Sequence, residues 1–255
     1  MSSSAALSGV AFRYVAAQDR GRLTGDQVAA ALAPDPYDVS VVDLVAIENT
    51  HQVGGGSVLG VAELAEIAAA TAAAGVPLYL DGARIFNACA VAGVPVADYA
   101  RHVDALMFCL SKGLGAPIGS VLAGSAEFIR EARRLKVLFG GAWRQAGIMA
   151  AAGLIALADG PGRLPEDHAH ARALADGLAE LLPGSVDPAA VETNIVFADV
   201  AGTGRGALQW RDLLAAEGVL VTIIGDRVRM LTHVDVTAAD IAAALDAWRR
   251  VAKSV

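Results

Sequence analysis

Three short apolar runs in the first half of the chain each stop abruptly at a polar cluster. Val41-Val-Asp-Leu-Val-Ala-Ile47 runs into Glu48-Asn-Thr-His51, Val76-Pro-Leu-Tyr-Leu80 into Asp81-Gly-Ala-Arg84, and Ala105-Leu-Met-Phe-Cys-Leu110 into Ser111-Lys-Gly113. Residues 61–74, rich in Ala, Glu and Leu, read as a helix stopped by Gly75 in the position of a C′ glycine. Near-continuous apolar strands alternating with helices predict an α/β fold whose mostly parallel sheet is covered on both faces. Ligands bind beyond the carboxyl ends of the strands in such sheets, and the polar clusters fall at those ends.

Further helices are predicted over residues 127–138 and 144–158, and Asp159-Gly-Pro-Gly162 reads as the clearest break in the chain. A boundary there gives a large domain over residues 1–160 and a small C-terminal α+β domain over 161–255. The small domain is predicted to hold a helix over 168–182, a strand over 195–198, a helix over 210–217 and strands over 219–223 and 228–231. A last helix opens at Thr237-Ala-Ala-Asp240, close to a capping box.

Composition narrows the partners. With 255 residues, 55% of them hydrophobic and 18% charged, and a mean hydropathy of +0.49, the chain is a folded globular protein rather than a disordered one. Twenty basic against 27 acidic residues leave a net charge of −7, which argues against nucleic acid and anionic membrane and for a small-molecule partner. The longest candidate span, residues 67–80, contains Gly75 and Pro77 and falls short of the roughly 20 residues a bilayer needs. The N-terminus lacks the basic start of a signal peptide, so a cytoplasmic enzyme is expected. Cys89 and Cys109 sit in apolar stretches and read as small buried hydrophobes. His51 and His233 lie at strand ends where a polar partner would satisfy them, and no pair of histidines has metal-ligand spacing, so no metal site is expected.

Lys112 carries the most chemical information. It follows an apolar strand and leads into Leu114-Gly-Ala-Pro117, a turn where backbone can approach a ligand closely. A lysine at the buried mouth of a sheet is expected to have a depressed pKa and an amine ready to form a Schiff base with a carbonyl. Asp81 precedes it by 112 − 81 = 31 residues, the length of one strand–helix–strand crossover, so both are expected at one sheet edge. An aspartate there suits pyridoxal phosphate (PLP), whose protonated ring nitrogen needs a carboxylate partner. Arg84 could donate to the same cofactor's phenolic oxygen or hold a carboxylate bidentately.

Asp81-Gly-Ala-Arg-Ile-Phe-Asn87, Cys109-Leu-Ser-Lys-Gly-Leu-Gly-Ala-Pro117 and Gly140-Gly-Ala-Trp-Arg-Gln-Ala-Gly147 together resemble the low-specificity L-threonine aldolases. Glu48-Asn-Thr-His51 and Val228-Arg-Met-Leu-Thr-His233 resemble further motifs of that family, in the family's order, from about Leu7 onward. The resemblance implies a PLP-dependent lyase of fold type I that cleaves L-threonine or L-allo-threonine to glycine and an aldehyde. It implies that Lys112 holds the cofactor, that Asp81, Arg84 and Ser111 contact it, and that Arg229 binds the substrate carboxylate. It further implies a homo-oligomer, a dimer or tetramer, in which Arg144 reaches the cofactor phosphate of a neighbouring subunit. Two alternatives share Lys112 and Asp81: a non-catalytic remnant of the same fold, and another fold-type-I lyase that performs β-elimination.

The family's first quarter has no counterpart here, including its phosphate-cradling loop and its ring-stacking histidine, so the fold is read as N-terminally truncated. Gly54-Gly-Gly56 reads as an ordinary flexible turn rather than a substitute, and Asp38 stands where many members have a histidine. Losing two charge-assisted hydrogen bonds at roughly 1.5–3 kcal/mol each would weaken cofactor affinity by about two to four orders of magnitude. The 255-residue chain is therefore expected to cleave threonine poorly or not at all, and to gain activity when an upstream segment is supplied. Glycine release by the two forms at saturating PLP checks this; full activity of the shorter form would overturn it.

Overall fold

A computed structural model describes residues 6–17, 19–33 and 40–253. In it β1 (Val45–Glu48), β2 (Leu78–Asp81), β3 (Ala105–Cys109) and β4 (Ser120–Gly124) form one sheet in that order. The first three strands are parallel and β4 is antiparallel to β3. Apolar residues of these strands, Ile47, Leu78, Leu80 and Leu106, are buried with residues from four helices. The helices are α1 (Gly25–Leu32), α2 (Val61–Ala74), α3 (Ile85–Ala92) and α4 (Val96–Ala100). Gly75 closes α2 in the left-handed conformation (φ +68°), as its sequence position predicts.

Three expectations need correction. The strand expected from Val41 begins only at Val45, where pairing with β2 starts. β4 was not expected, because its five residues are short and follow a glycine-rich turn; its alternating half-buried pattern leaves Leu122 exposed, so cover on both faces fails there. The break expected at Asp159-Gly-Pro-Gly162 does not end a helix: after α5 (Ala126–Leu138), α6 runs unbroken over Gly147–Leu181, 35 residues, through Pro161 and Pro165.

An internal proline costs a helix about 3 kcal/mol, so tertiary contacts must offset it. A β-carbon on Gly160 would lie 3.0 Å from the Cα and carbonyl oxygen of Leu114, so the helix and the turn after β3 meet there at backbone distance. Leu164, fully buried, fills the space beside Gly113, and Leu114, Ala116, Ala156 and Leu164 make a core of their own. The missing side chain at Gly160 thus lets α6 run beneath the turn that carries Lys112.

Beyond α6 come β5 (Ile195–Asp199), α7 (Ala207–Ala216), β6 (Thr222–Ile224), β7 (Arg227–Leu231) and α8 (Ala238–Lys253), with an antiparallel sheet in the order β5-β7-β6. The capping box at α8 forms: Asp240 N–H donates to Thr237 Oγ1 at 3.3 Å and Thr237 N–H to Asp240 Oδ2 at 2.8 Å. Trp210 and Trp248 stack at 4.7 Å in the core of this lobe.

The two sheets are joined along a polar seam. Arg20 donates to Ala190 O and Glu192 Oε1, while Glu192 Oε2 accepts from Val58 N–H at 2.9 Å. Thr193 Oγ1 donates to Gly56 O at 2.8 Å. Gly54-Gly-Gly56 is therefore a close-packed turn and not a loose one. A β-carbon on Gly56 would fall 2.2 Å from Thr193 Oγ1, and one on Gly54 1.7 Å from Arg20 O.

Gly160→Val forces a branched side chain against the Leu114 backbone. It is expected to cost about 1–3 kcal/mol of stability, read as a lowered urea midpoint; an unchanged midpoint would show that this contact is not tight.

Candidate active site

Parallel register brings the ends of β1 and β2 level with Met107 of β3, two residues before that strand ends. Glu48 pairs with Asp81 and Asp81 with Met107. The ladder continues past the carboxylates, with Asn49 N–H donating to Asp81 O and Gly82 N–H to Met107 O, both at 2.9 Å. The half-buried Asp81 carboxylate accepts from Ala83 N–H at 3.1 Å, which turns the chain into α3. Arg84 occupies the N-cap position of that helix with only 8% of its surface exposed and donates to Gln52 Oε1 at 3.4 Å. Gln52 N–H in turn donates to Glu48 Oε1.

Arg229 approaches from the other lobe, on β7. Its buried Nε has no hydrogen-bond partner among the described residues, and Nη1 reaches Thr222 Oγ1 at 3.5 Å. Burial pushes the Arg84 pKa down, the nearby Arg229 charge pushes it further, and Glu48, Cys109 and Asp81 oppose both. Burial also lowers the Arg229 pKa. Two partly desolvated guanidiniums therefore lie within electrostatic reach of each other, with Glu48 and Asp81 beside Arg84, and the planar fork of an arginine suits a carboxylate or phosphate.

Lys112 follows β3 at the same sheet edge, but its side chain is exposed. The buried lysine expected from the sequence is thus corrected. In the turn after β3, Leu114 and Ala116 take the inward positions, leaving Ser111 and Lys112 facing solvent. The Lys112 ammonium has no hydrogen-bond or ion-pair partner among the described residues. Ser111 Oγ donates to Gly119 O at 3.4 Å. Arg144 is exposed just before α6 and contacts no charged partner among the described residues. The structure thus brings Asp81, Arg84 and Arg229 together, sets Ser111 and Lys112 on the adjoining turn, and leaves Arg144 apart. His51 and His233 meet polar partners as expected, Gly54 N–H and Asp235 respectively; Asp38 lies outside the described residues. The two cysteines are half-buried rather than buried, and burial pushes the Cys89 thiol up to about 11.

A family model described as beta-eliminating lyase matches residues 2–202. Low-specificity L-threonine aldolase 1 of Arabidopsis thaliana is 37% identical over 92% of this chain and 67% of its own. A putative L-allo-threonine aldolase from Listeria monocytogenes superposes with a TM-score of 0.70 at 20% identity, covering 89% of this chain and 65% of that one. An enzyme described as SPT, solved with PLP, superposes with a TM-score of 0.66 at 19% identity, covering 91% and 60%. The chain spans between 60% and 67% of the length of these proteins, and its fold is fold type I.

Four polar residues near the site had not been singled out. Gln52 holds Arg84, while Asn87, His168 and Asn194 form a cluster in which Asn87 Nδ2 lies 3.0 Å from His168 Nε2 and 3.5 Å from Asn194 Oδ1. Asn87 was legible only as the lone polar position in the apolar stretch Ile85-Phe-Asn-Ala-Cys-Ala90.

Burial pushes the His168 pKa below 6.5, with Asp167 opposing. The folded state therefore keeps the ring neutral where the unfolded chain binds a proton. The stability involved is complete above 6.5 and is lost as pH falls through 6.5 toward the lower folded value. Unfolding free energies from urea titrations between about pH 7.5 and about pH 5.5 are expected to fall, by at most about 1.4 kcal/mol per pH unit from this group. His168→Gln should flatten that decline; an equally steep decline in the variant would remove His168 from the account.

Proposed function

The chain belongs to the beta-eliminating lyase family, and from that premise we propose that it uses PLP to cleave a β-hydroxy-α-amino acid such as L-threonine to glycine and an aldehyde. The observation that carries this reading is the grouping of Asp81, Arg84 and Arg229 beside the Lys112 turn.

These residues suit the cofactor. An amine without a partner among the described residues, a half-buried carboxylate and a buried guanidinium share one edge, and Arg229, whose Nη1 reaches Thr222 Oγ1 only at 3.5 Å, remains for a further anion. When bound, PLP supplies the sink for the electron pair left by the broken Cα–Cβ bond. Lys112 would hold the cofactor through its amine, and Asp81 would keep the proton on the ring nitrogen. Arg84 would donate to the phenolic oxygen, with Ser111 among the cofactor contacts. Arg229 would grip the substrate carboxylate with its planar fork and so orient the bond to be broken.

Homo-oligomerisation, as a dimer or tetramer, belongs to the same reading. Val137, Leu138, Phe139, Trp143, Ile148 and Leu154 are each more than half exposed, an apolar surface that a second copy would cover. Arg144, beside that surface in sequence, would then reach the neighbour's cofactor phosphate. Among the described residues no helix is long and apolar enough to cross a membrane, and a cytoplasmic reaction is part of the proposal. β-Elimination is a second reading, favoured by the description of the family model; release of glycine from L-threonine, against release of a keto acid from a β-substituted alanine, separates the two.

Borohydride is expected to fix PLP onto Lys112, and Lys112→Ala to abolish both the label and glycine release. Arg229→Lys should raise KM for threonine about tenfold to a hundredfold, the loss of one charge-assisted contact, and leave the label intact. A label on another lysine would overturn the assignment of Lys112; equal loss of label and cleavage in Arg229→Lys would make Arg229 structural.

A further inference from the structure

We propose that Asn87 and His168 are positioning residues that fix the Lys112 turn and tie it to the strand carrying Arg229. What the turn does rests on the reading above; the linkage itself rests on geometry alone. Asn87 lies on α3 with 2% of its surface exposed. Its Oδ1 would be 3.3 Å from a β-carbon on Gly113, and Leu164 would be 2.8 Å from the same atom, so one face of Gly113 packs against both the amide and the leucine with no room for a side chain. Lys112 precedes this closely packed glycine directly.

The orientation of the amide is set from the far side. Asn87 Nδ2 donates to His168 Nε2 at 3.0 Å, which requires a neutral ring with its proton on Nδ1, and to Asn194 Oδ1 at 3.5 Å. The amide oxygen is thereby left toward Gly113. With Asn87 reversed, two acceptors would face each other at Asn194 and the amino group would face the turn.

The network then crosses to the second lobe. Asn194 Nδ2 donates to Thr232 O at 2.9 Å, and Thr232 N–H donates to Asn194 O at 3.1 Å. Thr232 Oγ1 donates to the backbone oxygen of Asp167, the neighbour of His168, at 2.6 Å. Asp167 is fully buried and gripped twice by Arg163, which fixes this part of α6. Thr232 follows β7, three residues after Arg229. Asn87, Asn194 and Thr232 are each at most 3% exposed, so few water molecules compete for these bonds.

The test compares His168→Leu, which removes the acceptor, with His168→Gln, whose amide oxygen can accept from Asn87. In the cofactor-free protein, amide exchange across residues 110–117 is expected to rise about tenfold in His168→Leu, equivalent to about 1.4 kcal/mol of local protection. The rate at which Lys112 forms a Schiff base with added PLP should fall in parallel, and His168→Gln should restore both. If His168→Leu does not fold, Asn87→Ala, which keeps the imidazole and removes the amide, is read in the same way. Exchange unchanged at 110–117, or faster exchange spread evenly through the sheet in both His168 variants, would overturn the positioning role. A wild-type protein that forms no Schiff base would instead sink the aldol reading while the exchange result stood.

Discussion

Two guanidiniums kept largely out of water at one sheet edge set the conditions for the residues around them. A buried charge costs several kcal/mol unless it is paired, and here the Arg229 charge adds to the cost of burying Arg84. Glu48 and Asp81 offset that cost from the ends of adjacent strands, and Gln52 adds a neutral contact. None of this works unless β1 and β2 end level, which their parallel register ensures. The two arginines and two carboxylates balance in charge, so the excess positive charge at this edge is that of Lys112, which has no partner among the described residues.

Because one arginine comes from each lobe, the site is only as well defined as the seam between them. That seam is polar and specific: Arg20 with Glu192, Gly56 with Thr193, and Arg227, stacked on Phe197, with the carbonyl of Val53. Glycines at positions 54 and 56 are needed because backbone from the first lobe meets the N-terminal segment and the second lobe at distances that exclude a β-carbon. The long helix α6 does the corresponding work beneath the Lys112 turn.

Much of this was legible in sequence where one physical signal dominated. Apolar runs that stop at Asp81 and Ser111 located the strand ends to within a residue, because burial forbids polar side chains until the strand leaves the core. The Thr237–Asp240 cap was legible because its hydrogen bonds are local. What stayed hidden depended on distant partners. Asp159-Gly-Pro-Gly162 has the composition of a break, yet packing of Gly160 on Leu114 and burial of Leu164 hold it helical. Lys112 was expected to be buried, since sequence does not show that Leu114 and Ala116 take the inward places in its turn. The Asn87–His168 pair joins residues 81 positions apart, beyond any spacing rule.

The account's central claim is that Lys112, Asp81, Arg84 and Arg229 form one site shared by both lobes. A crystal structure of the protein with PLP and glycine tests this most directly. The account predicts the ring between Lys112 and Asp81, with the glycine carboxylate on Arg229. A cofactor bound away from Asp81, or a carboxylate held elsewhere while Arg229 keeps only Thr222, would contradict it.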